Sequence, residues 1–296
     1  MGKKYLLLVI SFVTIVAVFF TLIISHHNDI AVLSPAGKIA GHQRDLLIFA
    51  SALSLLVIIP VFTLIFYIAW KYRASNTKAQ YSPKWDHSHK LEFIWWAIPI
   101  VLILVLAIVT WKSSHDLDPY KPLASHKKPL TVQVVALDWK WLFIYPEQNI
   151  ATVNYLAIPE QTPINFQITA DAPMNSFWIP KLGGQVYAMA GMQTKLHLIA
   201  NDVGTYQGAS SNLSGEGFAD MKFTVKSMNE GDFGAWINNT RHSTQILDAI
   251  TYAKLAEPSK KNPVSHYSSV TPGLYDTVIM KYMMPEDTDH EAGASR

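Results

Sequence analysis

Two serines four positions apart, Ser210 and Ser214, begin a short polar run with the spacing of a metal-binding loop. Phe218 follows four positions later, and Met221 three positions after that. With cysteines at the serine positions and a histidine at Phe218, the loop would offer two thiolates, an imidazole and a thioether, the soft ligands that copper selects. Only Met221 is a ligand type here, and one thioether does not hold copper. The run therefore has the frame of a copper site without its ligands.

The composition limits the chemistry of the rest of the chain. The 296 residues include no cysteine, which excludes disulfides, thiolate metal sites, cysteine nucleophiles and a cysteine lipid anchor. A formal charge of +2 gives no support for nucleic-acid binding, which calls for a basic face or stripe. Only 16% of the residues are charged, and the apolar residues concentrate near the N-terminus. This pattern indicates a membrane protein.

Three apolar runs occupy residues 5–24, 46–70 and 93–111. Each is long enough to cross the roughly 30 Å hydrocarbon core as a helix. Pro60 and Pro99, inside the later runs, would kink a membrane helix without forbidding it. The first run is either a signal peptide or a retained helix. We favour the retained helix, because the run exceeds the roughly 7–15 apolar residues of a signal peptide and no small-residue cleavage site closes it.

Basic residues predict the orientation of these segments. Ahead of Glu92, the connection between the second and third runs carries Lys71, Arg73, Lys78, Lys84 and Lys90 against one acid, Asp86, whereas the connection before the second run is balanced in charge. Loops rich in lysine and arginine stay in the cytoplasm. We therefore expect a multi-pass membrane protein whose N-terminus is cytoplasmic and whose chain beyond Trp111 is external.

The pattern changes to short strands from about residue 131. Segments 131–137, 164–168, 194–199 and 221–225 alternate apolar and polar residues, with prolines and glycines between them. Such spacing is typical of a β-sandwich or barrel. The apolar spacing becomes helical after Gly231. We predict a first apolar segment at 1–25, a transmembrane hairpin at 26–112, an external all-β domain at 113–230, a helical extension at 231–283 and a disordered tail at 284–296.

Sequence segments spread over most of the chain are similar to those of a known family. They are Trp-Lys-Tyr-Arg-Ala-Ser-Asn at 70–76, Asp-Trp-Lys-Trp at 138–141 and Tyr-Ala-Met-Ala-Gly-Met-Gln-Thr at 187–194, with others at 81–83, 144–148, 150–154, 174–177 and 196–201. Together they resemble subunit II of the bacterial cytochrome bo-type ubiquinol oxidases, a branch of the haem–copper oxidases. The resemblance implies a cupredoxin-like β-sandwich that follows the membrane helices, in the bacterial inner membrane with the sandwich in the periplasm. The relatives carry a lipid-modified cysteine, which this chain lacks.

The resemblance also assigns the loop. In copper-bearing relatives it holds a dinuclear copper centre, whose upstream histidine corresponds to Asn175. The positions that have lost this chemistry are Asn175, Ser210, Asn212, Ser214 and Phe218, while Met221 keeps a ligand type. We therefore expect no metal and no redox cofactor in this chain, and no electrons from cytochrome c. Electrons would instead come from a membrane quinol, with ubiquinol as the substrate implied for the complex.

Glu92 is the positive candidate for a functional residue. It lies at the predicted cytoplasmic start of the third apolar run, where an acid often marks a proton route. An acid in a first helical turn is also favoured by the helix dipole alone, and from the residues the two explanations are equally plausible. The resemblance favours function, because it implies a glutamate here at the mouth of the proton path that feeds the oxygen-reducing centre.

The aromatic run at residues 138–145 has two possible roles. In copper-bearing relatives its counterpart receives electrons from cytochrome c, with Trp139 at the matching place. Because this chain has no copper ligands to receive an electron from the run, we expect these rings to pack in the sandwich core or against subunit I. The same holds for Tyr187, Met189 and Met192. No spacing of histidines resembles a metal set, and His197 is expected to face away from the core.

The resemblance implies a set of partners. The main one is subunit I, which carries the haems and a copper, oxidises quinol, reduces O2 to water and pumps protons; subunits III and IV and membrane lipid are also expected. The chain would support subunit I, cap its periplasmic face and supply Glu92 as a proton entrance. The alternative is a membrane-anchored cupredoxin-like binding or assembly module without catalysis. A simple tether needs only one helix, so the second and third runs favour the oxidase subunit.

Overall fold

The computed structural model describes residues 14, 18, 21, 22, 30–80 and 86–283, which form two compact units. Residues 42–118 make up one unit, and the described residues of 1–41 and 119–296 make up the other. The predicted tail at 284–296 lies outside the described residues. Most of the first apolar run does too, so its role as a retained helix or signal stays a prediction.

The smaller unit is built from two long apolar helices. Helix α1 spans Lys38–Lys71 and helix α2 spans His89–Asp116, and each continues through its internal proline, Pro60 or Pro99. Both contain the predicted apolar runs, and both have an 18-residue apolar window with no buried residue. A helix that is apolar on all sides yet uncovered is typical of a membrane span. Within the described residues, these two helices are long and apolar enough to cross a membrane.

The larger unit is a sandwich of two β-sheets, as predicted. Its strands are β1 Leu130–Leu137, β2 Lys140–Tyr145, β3 Ile150–Val153, β4 Tyr155–Pro159, β5 Ile164–Ala170, β6 Asn175–Trp178, β7 Val186–Ala188, β8 Thr194–Leu198, β9 Gly204–Ser210, β10 Lys222–Met228 and β11 Ser265–Tyr267. One sheet has the order β11-β3-β2-β1-β5-β8 and the other β4-β10-β9-β6-β7. The pairs β1–β5 and β4–β10 are parallel, and the other pairs are antiparallel.

Aromatic rings fill the space between the two sheets. Trp141 and Phe143 of β2 make edge-on and tilted contacts with Phe177 and Phe223 of the facing sheet. Phe177 and Phe223 stack with their ring centroids 5.3 Å apart. Buried aromatic pairs of this kind contribute beyond the area that they bury. This core confirms that rings of the 138–145 run pack the sandwich.

The C-terminal segment covers the outer face of the six-stranded sheet. It contains helix α3 Glu230–Arg241, helix α4 Ala249–Ala256, strand β11 and helix α5 Leu274–Met280. Its apolar side chains pack against those of β1, β2 and β3 in a second core. Strand β2 is therefore buried at every position, and β1 alternates only in its first half. A sheet with one exposed face would show alternating burial along the whole of β1. The C-terminal segment buries the outer face of its second half, so the alternation in burial stops there.

Candidate functional site

The loop between β9 and β10 contains the predicted copper-site positions. The backbone N–H of Ser210 donates to the carbonyl of Met221 at 3.1 Å, which closes the loop at its base. A short 3-10 turn, Phe218–Asp220, leads back into the sheet. Gly215 has φ of +109°, a conformation that favours glycine. The loop frame is thus set by backbone geometry.

Asn175 and Ser210 lie together in a hydrogen-bonded network. Asn175 begins β6 and is 1% exposed; its side-chain oxygen accepts a bond of 3.0 Å from the Ser210 hydroxyl. The Asn175 amide group donates to Pro173 O at 2.7 Å, and that of Asn212 donates to Met174 O at 2.8 Å. The carbonyl of Asn212 lies 3.2 Å from the Ser210 hydroxyl as a second acceptor. Neutral amide and hydroxyl groups therefore join β6 to the loop.

The other predicted positions stand apart from this network. Met221 is fully buried, and Phe218 begins the 3-10 turn. The hydroxyl of Ser214 is buried, and within the described residues it has no hydrogen-bond partner. A buried hydroxyl without a partner is unfavourable. Nothing in the local bonding therefore explains why a polar group stands at this position.

The donor set does not fit copper. Copper favours thiolate, imidazole and thioether ligands, whereas these positions offer two hydrogen-bonded amides, two hydroxyls, a phenyl ring without a lone pair and a single thioether. Among the described residues, no group of three or more histidine, aspartate or glutamate side chains is placed to hold a metal ion. We derive no electron-transfer step through this loop.

Trp139 covers the loop. It lies in the two-residue turn between β1 and β2 with φ of +63°, an uncommon conformation for a bulky residue. Its indole N–H donates to the carbonyl of Ser214 at 3.1 Å. A Cβ added to Gly217 would come within 2.4 Å of the indole ring, so only glycine permits this contact. The ring predicted to match the electron-receiving tryptophan thus forms part of the loop's packing.

Charged groups on the outside of the loop form one exposed pair. Lys260 contacts the Glu216 carboxylate at 2.5 Å, and its ammonium group lies 5.7 Å from the Trp139 ring centroid. The hydrogen bond from Lys260 lowers the pKa of Glu216. Exposed pairs of this kind contribute little to stability. The pair orients residue 260 toward the loop without forming a charged site.

Lys140 is the one lysine in the described part of the chain whose side chain is almost wholly enclosed, at 1% exposure. Its ammonium group donates to the carbonyl of Glu257 at 2.7 Å and to the hydroxyl of Ser259. Burial lowers the pKa of Lys140. The residue fastens the chain after helix α4 to strand β2.

A buried carboxylate, which the sequence reasoning missed, joins the C-terminal segment to β5. Asp171 is 1% exposed in its side chain and accepts bonds from Tyr252, Lys281 and Tyr282 at 2.7, 2.7 and 2.6 Å. We call these four residues the Asp171 clasp. Burial raises the pKa of Asp171, but the bonds from Lys281 and the two tyrosines outweigh burial and hold the pKa below its ordinary value. The donors are 81–111 positions away in sequence, so no local pattern could reveal them.

Glu92 lies in the first turn of α2, as its position in the sequence predicts. Its backbone N–H donates to Ser88 O at 2.9 Å, and its carboxylate lies 3.4 Å from the His89 imidazole. The side chain of Glu92 is 39% exposed. The residue is therefore an accessible acid at a helix start, and its part in proton transfer stays a prediction.

The remaining sequence candidates fall on the surface of the larger unit. His197 is half-buried, with Nδ1 2.9 Å from Pro119 O, and it lies outside the sandwich core as expected. Tyr187 and Met192 are about half exposed. They are not core residues, and their contact with subunit I stays a prediction.

Two family comparisons match the larger unit. Residues 146–228 match the periplasmic domain of cytochrome c oxidase subunit II, and residues 241–286 match the COX aromatic-rich motif. The first match contains strands β3 to β10 and the loop. The second spans most of the segment that covers the outer face, including the tyrosines of the Asp171 clasp.

Curated relatives match almost the whole chain. The cytochrome bo(3) ubiquinol oxidase subunit 2 of Pseudomonas aeruginosa is 50% identical over 86% of this chain and 77% of its own length. The ubiquinol oxidase subunit 2 of Acetobacter aceti is 51% identical over 86% of this chain and 83% of its own length. The chain belongs to the quinol oxidase subunit II family.

A solved structure gives a more distant match to this chain. The periplasmic domain of cytochrome oxidase subunit II from Bradyrhizobium japonicum is 21% identical, covers 37% of this chain and 91% of its own, and has a TM-score of 0.36. The family assignment rests on the relatives that span the membrane helices and the sandwich together. The family assignment confirms the resemblance that was used to compare the loop positions with those of copper-bearing relatives.

Proposed function

We propose that this chain is the non-redox subunit II of a proton-pumping terminal oxidase that takes electrons from ubiquinol and reduces O2 to water. The observation that carries the proposal is the bond between the Ser210 hydroxyl and the Asn175 amide oxygen at 3.0 Å. The side chains at two positions that carry copper ligands in copper-bearing relatives are here bonded to each other. Relatives about 50% identical to this chain are named as ubiquinol oxidase subunits, which also supports ubiquinol as the electron donor.

The electron route follows from this chemistry. A loop of amide, hydroxyl and phenyl groups has no accessible redox state, so it does not relay electrons from cytochrome c. A quinol dissolved in the membrane delivers electrons directly to subunit I, which holds the haems and a copper. In this account the chain places and supports the catalytic subunit and carries no electron itself.

The sandwich would cap the periplasmic face of subunit I. Several large apolar side chains in or next to the loop and the adjoining strands β6 and β7 are uncovered in this chain: Met174, Trp178, Tyr187, Met192 and Leu213, between 37% and 76% exposed. We expect subunit I to cover these side chains, since a contiguous exposed apolar patch marks an interaction site. The uncovered helices α1 and α2 would lie in the inner membrane, in contact with lipid and with subunit I, and subunits III and IV complete the complex.

Glu92 would admit protons from the cytoplasm. A carboxylate in a first helical turn, within 3.4 Å of the His89 imidazole and partly exposed, has both water access and a titratable neighbour. A partly exposed carboxylate at the edge of a membrane helix is the kind of group that often marks a proton route. The role rests on the family resemblance together with this geometry.

The donor test uses the complex purified through this chain. Its subunits and haems are identified by mass and absorption spectrum, and O2 consumption is measured with ubiquinol or reduced cytochrome c. We expect rapid turnover with ubiquinol and background turnover with cytochrome c. Turnover with cytochrome c as fast as with quinol would contradict the proposal.

The Glu92 test compares Glu92→Gln with Asp86→Asn, which removes a more exposed acid of the same loop that is paired with His87 at 2.9 Å. Glu92→Gln should slow turnover and proton uptake severalfold in a complex that assembles normally, whereas Asp86→Asn should leave both unchanged. Equal rates in the two variants would refute the proton role of Glu92 and leave the donor assignment intact.

A further inference from the structure

The C-terminal end of helix α1 combines exposed aromatic rings with two ordered cations. The Lys71 ammonium group lies 5.4 Å from the ring centroid of Tyr67 and 5.6 Å from that of Tyr72. The Arg73 guanidinium lies 5.2 Å from the ring centroid of Trp70. Trp70 and Tyr72 are more than half exposed. The cations are therefore positioned on rings that themselves face outward.

Local hydrogen bonds fix the backbone beneath these cations. Arg73 donates from Nη1 to Trp70 O at 2.7 Å and from Nε to Ser75 Oγ at 3.1 Å. The side chain of Asn76 donates to Lys71 O at 2.5 Å. The bonds to Trp70 O and Lys71 O occupy carbonyl groups that a helix end otherwise leaves without partners. The two N–H groups of Arg73 Nη2 have no acceptor within the described part of the chain.

The charge at this end is not balanced by carboxylates. The sequence contains no aspartate or glutamate between Asp45 and Asp86. The next two acids along the sequence are Asp86 and Glu92. Asp86 is paired with His87, and Glu92 lies beside His89. Within residues 30–80 and 86–283, neither Lys71 nor Arg73 forms an ion pair. The described part of the chain therefore leaves both cations available to an anion such as a lipid headgroup.

We propose that Lys71 and Arg73 bind the phosphate-bearing headgroup of an anionic phospholipid. Tryptophan and tyrosine rings at the end of an apolar helix lie at the depth of lipid headgroups. A guanidinium with a free pair of N–H groups suits a phosphate, and a nearby ammonium group adds charge. Basic residues that directly follow a membrane helix attract anionic lipid. The proposal depends on the membrane placement of α1 and is independent of the electron donor.

The opposite ends of the hairpin helices provide a matched comparison. There, Arg44 is paired with Asp45 at 2.7 Å, and helix α2 ends among Asp116 and Asp118. Lys38 and Lys112 at these ends can be neutralised together, with the same change in net charge as at Lys71 and Arg73. The pair Lys38→Gln and Lys112→Gln therefore controls for charge without touching the proposed site.

The test is a titration of the full-length chain, solubilised in neutral detergent, with phosphatidylglycerol and separately with phosphatidylcholine, followed by native mass spectrometry. We expect phosphatidylglycerol to bind more tightly than phosphatidylcholine. The double variant Lys71→Gln, Arg73→Gln should weaken phosphatidylglycerol binding by about 25-fold, since each cation near an anionic surface contributes roughly a fivefold factor. The Lys38→Gln, Lys112→Gln control should bind as the wild type does, and Lys71→Arg should retain binding.

Each other outcome overturns the proposal. Equal binding of the two lipids, or equal losses in the site and control variants, would show that no headgroup site exists at Lys71 and Arg73. Displacement of phosphatidylglycerol by an equal concentration of inorganic phosphate would assign the site to a free anion. Quinol oxidation by the complex is measured separately, so a negative lipid result leaves the proposed function in place.

Discussion

The loop at residues 210–221 and the Asp171 clasp lie in one unit but use polar groups in opposite ways. In the loop, neutral amides and hydroxyls bond to each other and to backbone carbonyls. In the clasp, an enclosed carboxylate collects three donors from the C-terminal segment. The contrast shows that the loop keeps its frame through backbone bonds and the Trp139 contact. A buried, charge-assisted contact holds the segment that covers the outer sheet face.

The largest expected effect comes from breaking the clasp. Asp171→Asn removes the charge that three donors surround, and weakening three charge-assisted bonds together should lower the free energy of unfolding by about 2–4 kcal/mol. The measurement is unfolding of the full-length chain in detergent, followed by near-ultraviolet circular dichroism. Asp202→Asn, at an exposed acid of the same unit, serves as the control and should change little. An unchanged Asp171→Asn variant would show that the clasp does not stabilise the segment.

The pH dependence of stability tests the same contact. Because the folded pKa of Asp171 is held below its ordinary value, its contribution is complete above the unfolded pKa of about 3.9 and is lost as pH falls through the folded value. The stability difference between wild type and Asp171→Asn should therefore be constant from neutral pH to about pH 5 and shrink below about pH 4. A difference that grows as the pH falls would have the wrong sign for this account.

Crowding the Trp139 contact should disturb the loop. A Cβ at Gly217 would overlap the indole ring, so Gly217→Ala forces the ring away at a cost of about 1–3 kcal/mol. Tryptophan fluorescence should shift toward that of an exposed ring. Gly234→Ala, in helix α3 with open space around the added methyl, is the matched control and should be neutral or stabilising. Similar losses in both variants would show that the effect is not specific to the Trp139 contact.

The smallest effect should come from the loop's own hydrogen bond. Ser210→Ala leaves the Asn175 side-chain oxygen without its donor and should lower the free energy of unfolding by about 1 kcal/mol. Quinol oxidation by the assembled complex should stay at the wild-type rate, because no electron passes through this position. A loss of oxidation in a fully assembled Ser210→Ala complex would contradict a structural role for the loop.

The parts of the fold with strong local patterns were predictable from the sequence. The two later apolar runs lie within α1 and α2, and the alternating segments lie in β1, β5, β8 and β10. Strand β2 carries no alternation because both of its faces are buried, and β11 is three residues long with no apolar repeat. A two-sided covering by a distant segment leaves no periodic signal in the strand that it covers.

The candidate site also has features that the sequence predicted and features that it did not. Spacing and resemblance placed Asn175, Ser210 and Met221 in one region. In the structure the Asn175 and Ser210 side chains are hydrogen-bonded, whereas Met221 is joined to Ser210 only through the backbone. The Asp171 clasp was missed because its partners lie far away in sequence and a lone aspartate between strands looks like a turn residue. The positive φ of Trp139 was also invisible, since it depends on Gly217 leaving room for the ring.

The most direct test of the central claim is the copper content of the purified full-length chain after incubation with copper and removal of the excess by a chelator. The account predicts far less than one copper ion per chain and no absorption band from a copper centre. Retention of stoichiometric, chelator-resistant copper at residues 210–221 would contradict it.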